Sequence, residues 1–298
     1  MQTRAQTAIA ARFARLLDRI TPDLAEEKIF LQHQDSIEGR LKSAFLTNRV
    51  ERIGSYTRRS AIKDWSDVDL LLVLSRDEVR WGEQYKSSTT VLKNVRDQLQ
   101  DRYAQTEVGR DGQAVVISFG DGHHPVDVVP GFYWGTGPRN YPIFCIPDGA
   151  GAWMKTSPQL HNKYIATGDA QSAGKLKSIA RLIKFWAHLR QQSESLSGFH
   201  IEMLLAQTQT CARPQTHATA FTEIMRVLAN RNCRALQDPL GVAGYIKAAG
   251  TEAKQRSLNA AIQRVFCHCQ RAIDAEVAYD TPEAIHQWNI VFSDNFPR

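Results

Sequence analysis

The sequence predicts an α/β core built on a mixed sheet, followed by an all-helical domain. Three observations carry that reading. Asp67 to Leu74 (Asp-Val-Asp-Leu-Leu-Leu-Val-Leu) is too short for a globular helix and too apolar for an exposed strand, which makes it a buried central strand. Strand-like runs and helix-like periods alternate up to about residue 150, and from Ser157 onward the periodicity is almost wholly helical. The chain has 298 residues, enough for two domains of the usual size of about 150 residues. The change of pattern puts the expected division at 1–150 and 151–298.

Taken in order, Ala8, Phe13, Leu16, Leu17 and Ile20 recur at helical steps, and Thr21-Pro22-Asp23 stops that helix and starts the next. A second helix is expected over 24–34 and a third over 36–46, with Ile37, Leu41, Ala44 and Phe45 on one face. Val50 to Ile53 reads as a short strand. Tyr85 to Tyr103 reads as an amphipathic helix, with Val91, Val95 and Leu99 on one side. Ala114 to Phe119 and Pro125 to Val129 read as strands joined by a Gly120-Asp121-Gly122 turn. Residues 130–151, rich in glycine, proline and aromatics, read as a crossing segment between two bodies. The clearest helix covers 173–191, and further helices are expected over 197–210, 217–230 and 251–278.

Composition excludes several classes. No run of 18 apolar residues exists, so no transmembrane helix is expected, and the first residues lack a secretory apolar core. Lysine and arginine outnumber aspartate and glutamate by 37 to 31, a net charge of +6 that permits an anionic partner without demanding one. The five cysteines (Cys145, Cys211, Cys233, Cys267, Cys269) are odd in number and form no Cys-x-x-Cys pair, a pattern that fits reduced thiols in a cytoplasm. Cys267-His268-Cys269 falls in a helical pattern, which splays the two thiols about 200° apart, so it reads as structural.

The chemistry concentrates around the central strand. Asp67 and Asp69 alternate onto one strand face about 6–7 Å apart, a spacing that suits one or two divalent cations; the bland reading is a solvated strand end. Upstream, Gly54-Ser55 follows a strand and precedes an expected helix, where backbone amides and a hydroxyl can meet phosphate oxygens. Eleven residues separate Ser55 from Asp67, room for a helix that returns the chain to an adjacent strand. Asp127, between valines that face the other way, can complete a metal triad and accept a proton. Arg58 can reach phosphate or an acidic neighbour, and Trp65 can shield the acidic motif or join the core.

Gly-Ser, an intervening helix, Asp-x-Asp before an apolar run and a third aspartate on a later strand resemble the polymerase-β-like nucleotidyltransferase superfamily. The fuller string Gly54-Ser55-Tyr56-x-Arg58-x-Ser60-Ala61-Ile62 is similar to one branch, the bacterial cyclic-oligonucleotide synthases (CD-NTases) of anti-phage signalling, relatives of cyclic GMP-AMP synthase and oligoadenylate synthase. Members usually carry threonine where Ser60 stands. Pro147 to Trp153 and Thr156-Ser157-Pro158-x-x-His161 resemble that branch's link into its helical domain. Arg181-Leu182-Ile183-Lys184-Phe185-Trp186 resembles its lysine-bearing helix, and Ser197-Gly198-Phe199-His200-Ile201-Glu202 the next helix start. The resemblance spans roughly residues 50–210 and lacks the zinc-ribbon insertion of the animal enzyme.

The resemblance implies a polymerase-β-like core, a helical lobe and a nucleotide cleft between them. It implies Asp67, Asp69 and Asp127 as catalytic metal ligands for magnesium, with manganese as a substitute. It implies Gly54, Ser55, Arg58, Lys184, Ser197 and Phe199 as the nucleotide-binding set. Lys184 alone reads equally as a solvated helix lysine, Ser197 as an N-cap and Phe199 as core. The implied substrates are nucleoside triphosphates (ATP, with GTP, UTP and CTP as further candidates), and the implied product is a cyclic di- or trinucleotide that activates a separate effector protein. No membrane partner and no DNA activator are expected. The alternatives are a nucleotidyltransferase acting on RNA or a small acceptor, and a non-catalytic nucleotide or RNA sensor.

Overall fold

The structure is a computed structural model that describes residues 4–119, 125–190 and 196–298. In chain order its elements are α1 (Arg4–Ile20), α2 (Leu24–Ala44), β1 (Thr47–Arg52), α3 (Gly54–Thr57), β2 (Val68–Leu74), β3 (Arg80–Trp81), β4 (Gln84–Tyr85), α4 (Ser88–Arg102), β5 (Glu107–Asp111), β6 (Ala114–Ser118), β7 (Val126–Thr136), β8 (Pro142–Pro147), β9 (Trp153–Thr156), α5 (Pro158–Gln171), α6 (Lys175–Leu189), α7 (Gly198–Thr208), α8 (His217–Asn230), β10 (Leu236–Gln237), β11 (Tyr245–Ile246), α9 (Glu252–Val277) and α10 (Thr281–Val291). They form two compact units: Pro22–Lys163 with Leu240–Gly244, and the residues up to Thr21 with Tyr164–Pro239 and Tyr245–Arg298.

The first unit is a seven-stranded mixed sheet in the order β1-β2-β7-β6-β5, with β8 on β7 and β9 on β8. Only β2 and β7 run parallel; the other pairs are antiparallel. The leucine run of β2 is buried on both faces, as its lack of alternation requires. Leu70, Leu72 and Leu74 pack under α2 (Phe30, Ile37, Leu41) and α4 (Val91, Val95, Leu99). Leu71 and Val73 join a smaller cluster with Val129, Phe144 and Ile146 on the opposite face.

The second unit is helical. Buried Ala5, Ile9, Phe13, Leu16 and Ile20 form one stripe on α1. Phe13 meets Trp288, Phe292 and Phe296 edge-on at 4.9–6.0 Å between ring centroids. This aromatic cluster, extended by Phe221, holds the first helix in the helical unit, so the expected 1–150 division does not describe the contacts. The chain passes to the helical unit at 163–164 instead.

Other expectations are corrected too. The helices expected over 24–34 and 36–46 are one helix, because Phe30, Ile37 and Leu41 keep a single helical phase across Asp35-Ser36. The helix expected from Tyr85 begins at Ser88, where Ser87 accepts the Thr90 amide at 3.2 Å. Residues 130–136 and 142–147 are strand rather than linker: Pro130 and Gly131 stand in register with Leu72 and Val73. Glycine is needed at 131 because a Cβ would lie 2.7 Å from the Cys145 carbonyl oxygen. Pro147 to Trp153 turns β8 into β9, with the Asp148 carboxylate accepting the Ala150 and Ala152 amides at 2.8 and 2.9 Å. The helix expected between Ser55 and Asp67 is only the single turn α3. The Gly120-Asp121-Gly122 turn lies outside the described residues. Cys267 is exposed and Cys269 buried on α9, as helical spacing requires.

Candidate active site

The acidic site grows from the end of the parallel strand pair. Asp69 and Asp127 are direct register partners on β2 and β7, so their side chains leave the same face of the sheet. Asp67 stands two residues before Asp69, just outside the strand. The flanking Val68, Val126 and Val128 are buried on the opposite face, which keeps this alternation fixed. Beyond β1, the Ile53 amide donates to the Asp69 carbonyl at 2.9 Å, and the chain then turns at Gly54 with φ +72°. A Cβ at Gly54 would lie 1.7 Å from Asp69 Oδ2. Glycine is therefore required twice, by the backbone angle and by the carboxylate lying against it.

The turn is pinned from below. The Ser60 amide donates to the Ser55 carbonyl at 2.9 Å, and the fully buried Ser60 hydroxyl approaches the same oxygen at 3.5 Å. Tyr56 stacks edge-on against Phe30 at 4.7 Å, and its hydroxyl donates to Glu26 at 2.9 Å. Glu26 also accepts the Asp64 amide at 3.1 Å, so α2 fixes the loop that carries Arg58. Arg58 is half-buried. Trp65 is 42% exposed, which excludes the core reading of that residue.

Electrostatically the site is overcharged. Burial, then repulsion from Asp69 and Asp67, pushes the Asp127 carboxyl up to about 8. Asp67 keeps a side open to water, yet loss of hydration and the Asp69 charge still raise it to about 6. Asp111, at the end of β5, adds to both shifts. Its register through Ala114 puts it on the same sheet face as Asp127, but two strands away, which no sequence spacing reveals. Asp127 Oδ1 is buried without a hydrogen-bond partner. Among the described residues no three Asp, Glu, His or Cys side chains stand ready-made as a metal cage. The donor chemistry fits a hard divalent cation: carboxylate oxygens from adjacent strands, one of them buried and unsatisfied, in surroundings that make ionisation costly.

Lys184, Ser197 and Phe199 lie in the other unit and are described on their own. Lys184, on α6, ion-pairs with Glu202 of α7, and their side chains are 12% and 0% exposed. The solvated-lysine reading fails on that burial. Gly198 lets the lysine pass, since a Cβ there would lie 2.7 Å from Lys184 Cε. Ser197 is the N-cap of α7, accepting the His200 amide at 3.2 Å, and Phe199 is half-buried in the first turn. Glu202 and Gly198 are members of this cluster that sequence reasoning did not assign. Their signal was the fixed four-residue offset from 198 to 202, one helical turn.

Residues 8–168 match the family described as Second Messenger Oligonucleotide or Dinucleotide Synthetase domain. The chain belongs to that family. A probable cyclic nucleotide synthase of Bacillus cereus (strain VD146) is 23% identical over 82% of this chain and 81% of its own length. The cyclic AMP-AMP-AMP synthase of Escherichia coli (strain MS 115-1) is 25% identical over 58% of this chain and 54% of its own length. Among solved structures, E. coli CdnC with ATP superposes with a TM-score of 0.75 at 18% identity, covering 97% of this chain and 98% of that one. Vibrio cholerae DncV, a cyclic AMP-GMP synthase, superposes at 0.64 and 11% identity over 84% and 70%. This family member is a nucleotidyltransferase of the cyclic-nucleotide-synthase type, on the fold those structures share. No described helix is long and apolar enough to cross a membrane.

Proposed function

We propose that this protein joins nucleoside triphosphates into a cyclic di- or trinucleotide, with ATP as a substrate, at Asp67, Asp69 and Asp127. The observation that supports this most is the Asp69–Asp127 register pair with Gly54 pressed against Asp69. A 2′- or 3′-hydroxyl of one nucleotide attacks the α-phosphorus of another, the α–β bridging bond breaks and pyrophosphate leaves. Asp67, Asp69 and Asp127 would hold magnesium, or manganese in its place, which when bound lowers the pKa of the hydroxyl and offsets the charge on the leaving oxygens. Asp127, whose basicity burial raises, accepts the hydroxyl proton. Gly54 and Ser55 offer backbone amides and a hydroxyl to the donor phosphates, and Arg58 adds a guanidinium.

In the helical unit, Lys184 supplies a compact cation for the β- and γ-phosphates, with Glu202 fixing its direction. Ser197 serves the phosphates as well as the helix N-terminus, and Phe199 stacks on a base. The enzyme works in the cytoplasm, in anti-phage defence, and its product acts on a separate effector protein. The test is incubation with labelled nucleoside triphosphates and magnesium or manganese, followed by phosphatase. A resistant small product that vanishes in Asp67→Ala/Asp69→Ala is expected. A linear, phosphatase-sensitive or RNA-attached product would replace cyclisation with tailing or acceptor transfer.

A further inference from the structure

A concentration of positive charge lies inside the helical unit. α6 and α9 enclose a cavity of about 240 Å³ lined by Trp186, Arg190, Ala261, Arg264, Val265 and His268. The α9 residues fall at 261, 264, 265 and 268, one helical stripe, and Trp186 of α6 and its C-cap Arg190 lie one turn apart, so the lining is a property of two facing helix surfaces. Ala261 and Val265 are small and leave the space. The polar lining is donor-rich: the two guanidiniums have no acceptor atoms, and Trp186 lies against the same space.

The indole is the second, independent sign of a ligand. Trp186 is fully buried, and its Nε1 has no hydrogen-bond partner, a state that costs about 1–3 kcal/mol unless something accepts from it. Arg190 is anchored by donating to the Ile290 carbonyl at the end of α10. Among the described residues Arg264 forms no ion pair. Its charge adds to burial in holding the Arg190 guanidinium below its usual value, and Asp294 offsets only part of this. The His268 ring is oriented by Gln287, 2.8 Å from Nδ1, and Gln287 by Glu283 at 2.7 Å. Two cations with an oriented imidazole and an unused buried donor call for a multiply charged oxyanion. The volume equals roughly eight waters and falls below the ~300 Å³ at which drug-sized sites begin, which favours a small anion over a whole nucleotide.

We infer that the α6–α9 cavity is a binding site for a small phosphate-class oxyanion, held by Arg190, Arg264, His268 and the Trp186 indole N–H. Calorimetric titration of the full chain with inorganic pyrophosphate and, separately, inorganic phosphate tests it, in EDTA so that no metal bridge forms at the carboxylates. Saturable binding is expected, at least about tenfold weaker in Arg264→Ala, as loss of a charged hydrogen bond implies, and largely kept in Arg264→Lys. Trp186→Phe, which keeps the ring and removes the donor, should weaken binding several-fold while the far-UV spectrum stays native. Equal affinity of wild type and Arg264→Ala, or no saturable heat from either anion at millimolar concentration, would overturn the assignment.

Discussion

Two groups of carboxylates in this protein are treated in opposite ways. In the helical unit Glu202 is wholly buried, but Lys184 sits against it and Gly198 leaves room for the pair. At the sheet, burial and the like charges of Asp69 and Asp111 raise both Asp67 and Asp127. A buried ion that finds its partner within the chain is a structural element. A buried acidic group that lacks one is held at a standing cost, which makes sense where the partner arrives from outside as a cation. The difference separates a cluster in which opposite charges meet from one in which like charges meet.

The hardest way to break the comparison is at the acidic cluster. Asp67→Ala/Asp69→Ala should cut nucleotide joining by at least about 10³-fold, since several kcal/mol of charge stabilisation is withdrawn, while thermal melting stays at or above that of the wild type. A variant that unfolds instead would show these carboxylates to be structural. At the helical pair the reverse is expected. Lys184→Met strands Glu202 and should cost about 3–5 kcal/mol of stability, measured by urea unfolding. Lys184→Met/Glu202→Leu should recover most of that stability without recovering activity, which divides the lysine's structural role from its proposed role at the phosphates.

Smaller effects sharpen the picture. Gly54→Ala should cost about 1–2 kcal/mol in backbone strain and displace Asp69, so activity should fall well beyond what the stability loss explains; paired melting and initial-rate measurements separate the two. The smallest effect is in pH. Because the folded Asp127 titrates at about 8 and an unfolded aspartate near 3.9, the folded state holds the extra proton between those values. Stability therefore falls as pH rises through that window. Asp127→Asn removes this slope, so in EDTA its advantage in melting temperature over wild type should grow from pH 5 to pH 8. A constant difference would mean that Asp127 is not desolvated.

Much of the site was legible because its chemistry is local. Asp-x-Asp before a leucine run points to a buried strand, and Ser197 before an apolar helix to a cap; the strand begins at Val68, one residue past Asp67, and the cap stands as expected. What escaped was non-local. Asp111 reaches the site through two strand registers, and residues 130–151 looked like a linker because Pro130 and Gly131 break strands unless a neighbour requires them. The single helix through Asp35-Ser36 shows packing overriding a local start signal.

By itself the sequence determined the strand that carries the carboxylates, the glycine that must precede them and the helical second half, because periodicity and backbone stereochemistry are written residue by residue. Only the tertiary structure decided that the first helix belongs with the last ones through Phe13, that Lys184 is paired with Glu202, and that Asp69 and Asp127 share one register. Those are contacts between residues 18 to 275 apart in the chain, and they are settled by which apolar faces bury each other rather than by any local rule.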